Sequence, residues 1–113
     1  MFLTISNAGY SIQSNNTQQK PEKSAQEEMD HAMMSMCKNM DSMQMTGSID
    51  HDFILMMIPH HKSALDMSKA YLKEGVAPEI REMAEKIIAA QKMEIAEMEL
   101  WLEENPIDDA KQQ

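Results

Sequence analysis

The stretch Phe53-Ile54-Leu55-Met56-Met57-Ile58-Pro59-His60-His61-Lys62-Ser63-Ala64-Leu65-Asp66-Met67-Ser68-Lys69-Ala70-Tyr71 decides the fold. Within it Phe53, Met57, His60, Ala64, Met67 and Tyr71 recur at intervals of 4, 3, 4, 3 and 4 residues. That is the spacing of one face of a helix, not the alternation of a strand. Ser48 or Asp50 starts this helix and Gly75 stops it just past Glu74. A glycine there is expected to take the left-handed conformation that ends many helices. Pro59 falls inside. It removes one backbone hydrogen bond and crowds the Leu55 carbonyl, at about 3 kcal/mol in a regular helix, so a kink just before the histidines is expected.

Two further helices flank this one. The first runs from about Ser24 to Met43, with Ser24 and Glu27 spaced as a capping box. Its stripe is Met29, Met33, Met36, Met40 and Met43, spaced 4, 3, 4, 3, which reads as a buried seam. Met45-Thr46-Gly47-Ser48 breaks the chain before the second helix. The third runs from Pro78, which suits a first turn, to Glu104, and Asn105-Pro106 ends it. Its stripe is Ala84, Ile88, Gln91, Ile95, Met98 and Leu102.

Short connections make neighbouring helices antiparallel. Residues 24–106 are therefore read as one all-α domain, an antiparallel helical bundle with three main helices. Residues 1–23 form a polar tail expected to be disordered, and residues 107–113 a frayed end. Three helices do not close a four-helix bundle. Either the tail helps, or two chains associate as a homodimer, and the homodimer is preferred.

Composition narrows the function. The chain has 113 residues, enough for one small domain. Nineteen Asp and Glu against ten Lys and Arg give a net charge of −9. Such a surface repels phosphate backbones and gives no pull toward anionic lipid, which argues against nucleic acid as a partner. No apolar run approaches the roughly 18 residues of a membrane span. Cys37 is the single cysteine, so no intrachain disulfide can form. Met1-Phe2-Leu3-Thr4-Ile5 lacks the basic flank and apolar length of a signal peptide. The chain as written reads as cytosolic, or as a trimmed form.

Fourteen methionines stand against six leucines and one valine. Met specifies a core poorly and ordinarily fills gaps. Five successive seam positions occupied by Met have two readings: a soft core, or a soft-metal site. Thioether sulfur selects Cu(I) over hard cations, and Ag(I), of similar softness, is expected to bind too. Met34, Cys37 and Met45 lie beside or just past the stripe, and Cys37 is a candidate ligand or a bystander. On the second helix Met56 precedes His60 by one turn, and Met57 precedes His61. The two imidazoles point about 100° apart, so they cannot both face one partner squarely. A lone His on an apolar face is usually a core residue; a pair, each with Met one turn earlier, favours ligation.

Gln91 and Glu94 are polar positions on or beside an apolar stripe. Left unpaired in a core each would cost about 1–3 kcal/mol, so they are expected to meet the His pair as outer partners of a metal ligand. His51 is a weaker candidate for an outer ligand; the flanking Asp50 and Asp52 suit the start of a helix. Trp101 is expected to close the bundle end.

The run from Asp50 through Met56-Met57-Ile58-Pro59-His60-His61 to Met67 resembles a known family, together with Gln91-Lys92-Met93-Glu94-Ile95-Ala96-Glu97-Met98 and Trp101-Leu102. It is similar to the domain of unknown function 305 family, whose members include periplasmic copper-binding proteins of the CopM type. The quoted motifs span residues 50–102. The resemblance implies a ferritin-like helical bundle, export to the periplasm, and copper or silver binding by Met and His in copper resistance or homeostasis. By position it points to His60, His61, Met57, Met67, Gln91, Glu94 and Met98. Larger members carry two such hairpins and this chain one, which again favours self-association.

The function expected is a non-enzymatic one: a protein that buffers, stores or passes on Cu(I), working with a copper donor or acceptor. A di-iron oxidase needs two inward Glu-x-x-His pairs. The sequence has one, Glu28-Met29-Asp30-His31, off the seam. The other reading is a Met-lined groove that takes partner helices without metal.

Overall fold

Ser24 starts the first helix as its sequence predicts. In the computed structural model, which describes residues 21–108, the Ser24 amide donates to Glu27 Oε2 at 2.8 Å and the Glu27 amide donates to Ser24 Oγ at 3.2 Å. Helix α1 spans Ala25–Asp41, α2 Ile49–Glu74 and α3 Pro78–Glu104. No strand occurs among the described residues. The all-α, antiparallel three-helix reading holds. Residues 1–20 of the expected tail and 109–113 of the expected frayed end lie outside the described residues. Helix α2 continues through Pro59 without interruption.

The helices do not close on one another. Both α1 and α3 pack against α2, and no close backbone approach joins α1 to α3. On the α1 flank, Ser63 Oγ donates to the Ala32 carbonyl at 3.4 Å, and Lys73 Nζ donates to Glu28 at 2.7 Å. Glu74 accepts the first helical N–H of α1, that of Ala25, at 2.6 Å, which satisfies a donor the helix start leaves orphaned. On the α3 flank, His61 meets Glu94 at 2.6 Å, Lys62 meets Glu99 at 3.2 Å, and Arg81 donates to the Leu72 carbonyl.

The two flanks lie on nearly opposite sides of α2, given 100° per residue. Between them runs the stripe Phe53, His60, Met67, whose members are all exposed. The other side of α2 presents Lys62, Asp66, Lys69 and Lys73, also exposed. The protein is an open bundle with one charged face and one apolar face.

This overturns the buried methionine seam. The fully buried apolar residues among those described are Ala25, Ala32, Ala70, Ala84 and Ile95, and no large side chain is completely enclosed. Small residues set the α1–α2 contact, where buried Ser63 donates to the carbonyl of buried Ala32. Met33, expected in the seam, is 52% exposed because Ala32 takes the inward position. Met29, Met36, Met40 and Met43 are half-buried. On α3 the expected stripe does face inward: Ala84 and Ile95 are buried, and Ile88, Gln91, Met98 and Leu102 are half-buried.

Gly75 ends α2 but not in the left-handed form: its φ is −64° and its ψ 134°. A Cβ there would collide with the Tyr71 ring, so a larger residue would have to displace that ring. Among the described residues Gly47, in the α1–α2 loop, is the glycine at positive φ, 85°. Arg81 does the work the helix end needs, donating to the carbonyls of Leu72 at 2.9 Å and Gly75 at 2.6 Å.

The α1–α2 loop is pinned by Asp52, which accepts from the Thr46 amide and the Thr46 hydroxyl, each at 2.8 Å. Those two donors hold the Asp52 carboxyl below the usual aspartate range. The Ser24 amide and hydroxyl do the same for Glu27. A carboxyl lowered in the folded state adds stability above its unfolded pKa and loses it as pH falls through the folded one. Thermal stability should therefore decline as pH falls below about 4, and Asp52→Asn should flatten that decline. Melting curves from pH 7 to pH 2.5 on both proteins test this; parallel curves would sink it.

Candidate metal centre on the open face

Met56, Met57, His60 and His61 sit on the two turns of α2 around Pro59. His60 is exposed and makes no hydrogen bond among the described residues, so both its ring nitrogens are open to a ligand. His61 is different. Its Nδ1 meets the Met57 carbonyl at 2.9 Å and its Nε2 meets Glu94 Oε2 at 2.6 Å. Both ring nitrogens are thus engaged, one by a backbone carbonyl and one by a carboxyl group. A metal at His61 would have to displace one of them.

The expected meeting of Gln91 and Glu94 with the histidines is half realised. Glu94 reaches His61. Gln91 reaches neither: its side-chain oxygen is buried with no hydrogen-bond partner. A buried acceptor without a donor is costly, of the order of 1–3 kcal/mol.

The candidate thioethers fall into two groups. Met29, Met33, Met36 and Met40 run along α1, with Met43 just beyond its end, and Met57 and Met67 run along the stripe of α2 that the flanking helices leave uncovered. Met98 lies on the α3 face toward α2, half-buried. Cys37 is exposed, away from the α1–α2 contact.

At the far end of α2, His51 is built into a clasp. Its Nδ1 meets Ser48 Oγ at 2.7 Å, and its Nε2 donates to the Asn105 carbonyl at 2.6 Å. The Trp101 ring stands edge-on at 4.9 Å. These contacts tie the start of α2 to the end of α3, so His51 is engaged on both nitrogens, distant from the His60 turn. The sequence signal for it was a His one turn from a Ser cap, opposite a helix-terminating Asn-Pro.

One neighbouring group was not singled out from sequence. Met29 of α1, Met67 of α2 and Met83 of α3 line a common open groove of about 180 Å³. Met83 lies one residue off the inward stripe of α3, so periodicity alone passed it over. Among the described residues no group of three or more His, Cys, Asp or Glu could hold a metal ion.

An open antiparallel three-helix domain with a His-His turn on its central helix and methionines along one face is the class of protein this chain defines. The chain belongs to the family described as Domain of unknown function (DUF305), which it matches over residues 5–102, including α1 as well as the histidine motif. It is also similar to Uncharacterized protein L153 of Acanthamoeba polyphaga mimivirus, 38% identical over 58 residues. That match takes in 51% of this chain and 38% of the viral protein, so the chain spans well under two thirds of that relative's length.

Proposed function

We propose that this chain is a copper-binding protein that takes Cu(I), or Ag(I) in its place, and buffers, stores or passes on the ion in copper resistance or homeostasis. The observation that carries this reading is the open face. It gathers thioethers of α1 and α2 and the unpartnered imidazole of His60 on surface a solute can reach. Two or three thioethers with at most one imidazole make a low-coordination site that fits a soft monovalent ion. Thioethers carry no proton, so they keep their affinity in acid. Sites that use His60 should weaken in acid, because an imidazole must be neutral to bind a metal ion. Holding Cu(I) without thiolates also suits an exported protein in an oxidising compartment such as the periplasm.

The exposed Phe53, Ile80 and Met83 favour a second reading, in which the same face receives a partner helix without metal. Anaerobic titration of Cu(I) against a coloured chelator, with native mass spectrometry on the same samples, separates the two. One or more Cu(I) retained per chain, with weaker retention after His60→Ala, supports the copper reading. A chelator that keeps all the copper at neutral pH sinks it.

A further inference from the structure

The groove between α1 and α3 has a composition that packing alone does not explain. Its lining includes Met29, Met67, Met83, Tyr71, Ile80 and Ile87, and no charged side chain. Three thioethers enter it, one from each helix. Met67 is 40% exposed and Met83 58% exposed, so both side chains are open to solution. Met67 Sδ lies 3.7 Å from Ser63 Oγ, whose one hydrogen it shares with the Ala32 carbonyl.

We propose that Met29, Met67 and Met83 form a three-thioether site for one soft monovalent cation, Cu(I) or Ag(I), and that the ion ties α1 to α3. This rests on the copper reading above but assigns a distinct site, about two turns of α2 beyond His60 and without imidazole. A lining with no carboxylate gives a hard divalent cation nothing to bind. Neutral sulfur donors suit a soft ion, and three of them complete a trigonal shell. The site joins the two helices that the backbone leaves apart, so loading closes the open bundle at that end. Since none of the three ligands titrates, this site keeps its ion at a pH where imidazole sites release theirs.

The test uses the full chain with ¹³C-labelled methionine methyl groups and Ag(I) as titrant. The methyl signals of Met29, Met67 and Met83 should shift together within one equivalent, at pH 5 as at pH 7. Met83→Leu and Met67→Leu, each a near-isosteric change at an exposed position, should lose one ion per chain in native mass spectra or weaken it at least about tenfold. Met93→Leu, also exposed and outside the groove, should change nothing. Full stoichiometry and unchanged affinity in Met83→Leu overturn the site. So does a response confined to Met56, Met57 and His60, which would leave copper binding standing. No shift in any methyl signal, and no ion retained, overturns both proposals.

Discussion

Ala32→Leu should lower the stability of the domain by about 1–3 kcal/mol, while Met33→Leu, one residue on, should change it by less than about 0.5 kcal/mol. Ala32 is 5% exposed, and its carbonyl accepts from Ser63, which is 6% exposed. Helices approach closely at such a pair because nothing larger than a methyl or hydroxymethyl stands between them. Three extra carbons at position 32 must push α1 away from α2 or take a strained rotamer. Either outcome loosens the Glu28–Lys73 pair and the Ala25–Glu74 bond, which hold the same two helices a turn or two away. Hydrogen exchange should then rise across residues 25–41 before it rises in α3. Met33 is half exposed and touches no such constriction. Urea denaturation of both variants decides the matter. Equal losses would mean that Met33 lies in the contact after all and that the open face is not open.

That contrast shows where sequence reading stops. Helical periodicity found all three helices, because Gly75, Pro78 and the Ser24 box punctuate the chain with unambiguous chemistry. The apolar stripes were also real. What periodicity could not say is which side of a stripe is covered. Methionine carries a larger apolar side chain than alanine, so the burial logic placed Met33 inward. With two neighbours instead of three, the central helix is gripped at its flanks by Ala, Ser and ion pairs. The broad apolar stripe is left between them. Leaving that stripe open costs hydrophobic free energy, and the cost is the sort tolerated where a surface has a use.

The site was legible to the same extent. The His-His turn, its flanking methionines and the Glu94 partner follow from spacing on antiparallel helices. The division of labour between the histidines does not. His60 and His61 differ by 100° of rotation, and that angle sends one toward Glu94 and the other into solvent. Met83 was hidden by register and Arg81 by distance along the chain, since its two carbonyl partners belong to the preceding helix and its end. His51, a weaker candidate for an outer ligand, has fold partners that spacing does not reveal, because Trp101 and Asn105 lie 50 and 54 residues away.

Changing Met29, Met33, Met36, Met40 and Met43 together to Leu should leave the metal-free protein nearly as stable and remove most of its stabilisation by copper. Leu and Met have similar helix propensity and volume, and such swaps each cost less than about 1.5 kcal/mol even in cores. These positions are half-buried or exposed, so the cost should be smaller. An ion that binds only the folded state stabilises it by about 2.7 kcal/mol when free ion stands at a hundred times Kd. For a domain of this size each kcal/mol moves Tm by about 4–8 °C, so the parent chain should melt about 10–20 °C higher with copper than without. The variant should keep only the part due to sites without α1 sulfur. Melting with and without Cu(I) under anaerobic conditions measures both halves. If the variant responds as the parent does, α1 contributes packing and the ions sit on α2. If the metal-free variant instead unfolds, the methionines were needed for an irregular fit that Leu cannot make, and the open face is an interface rather than a metal surface.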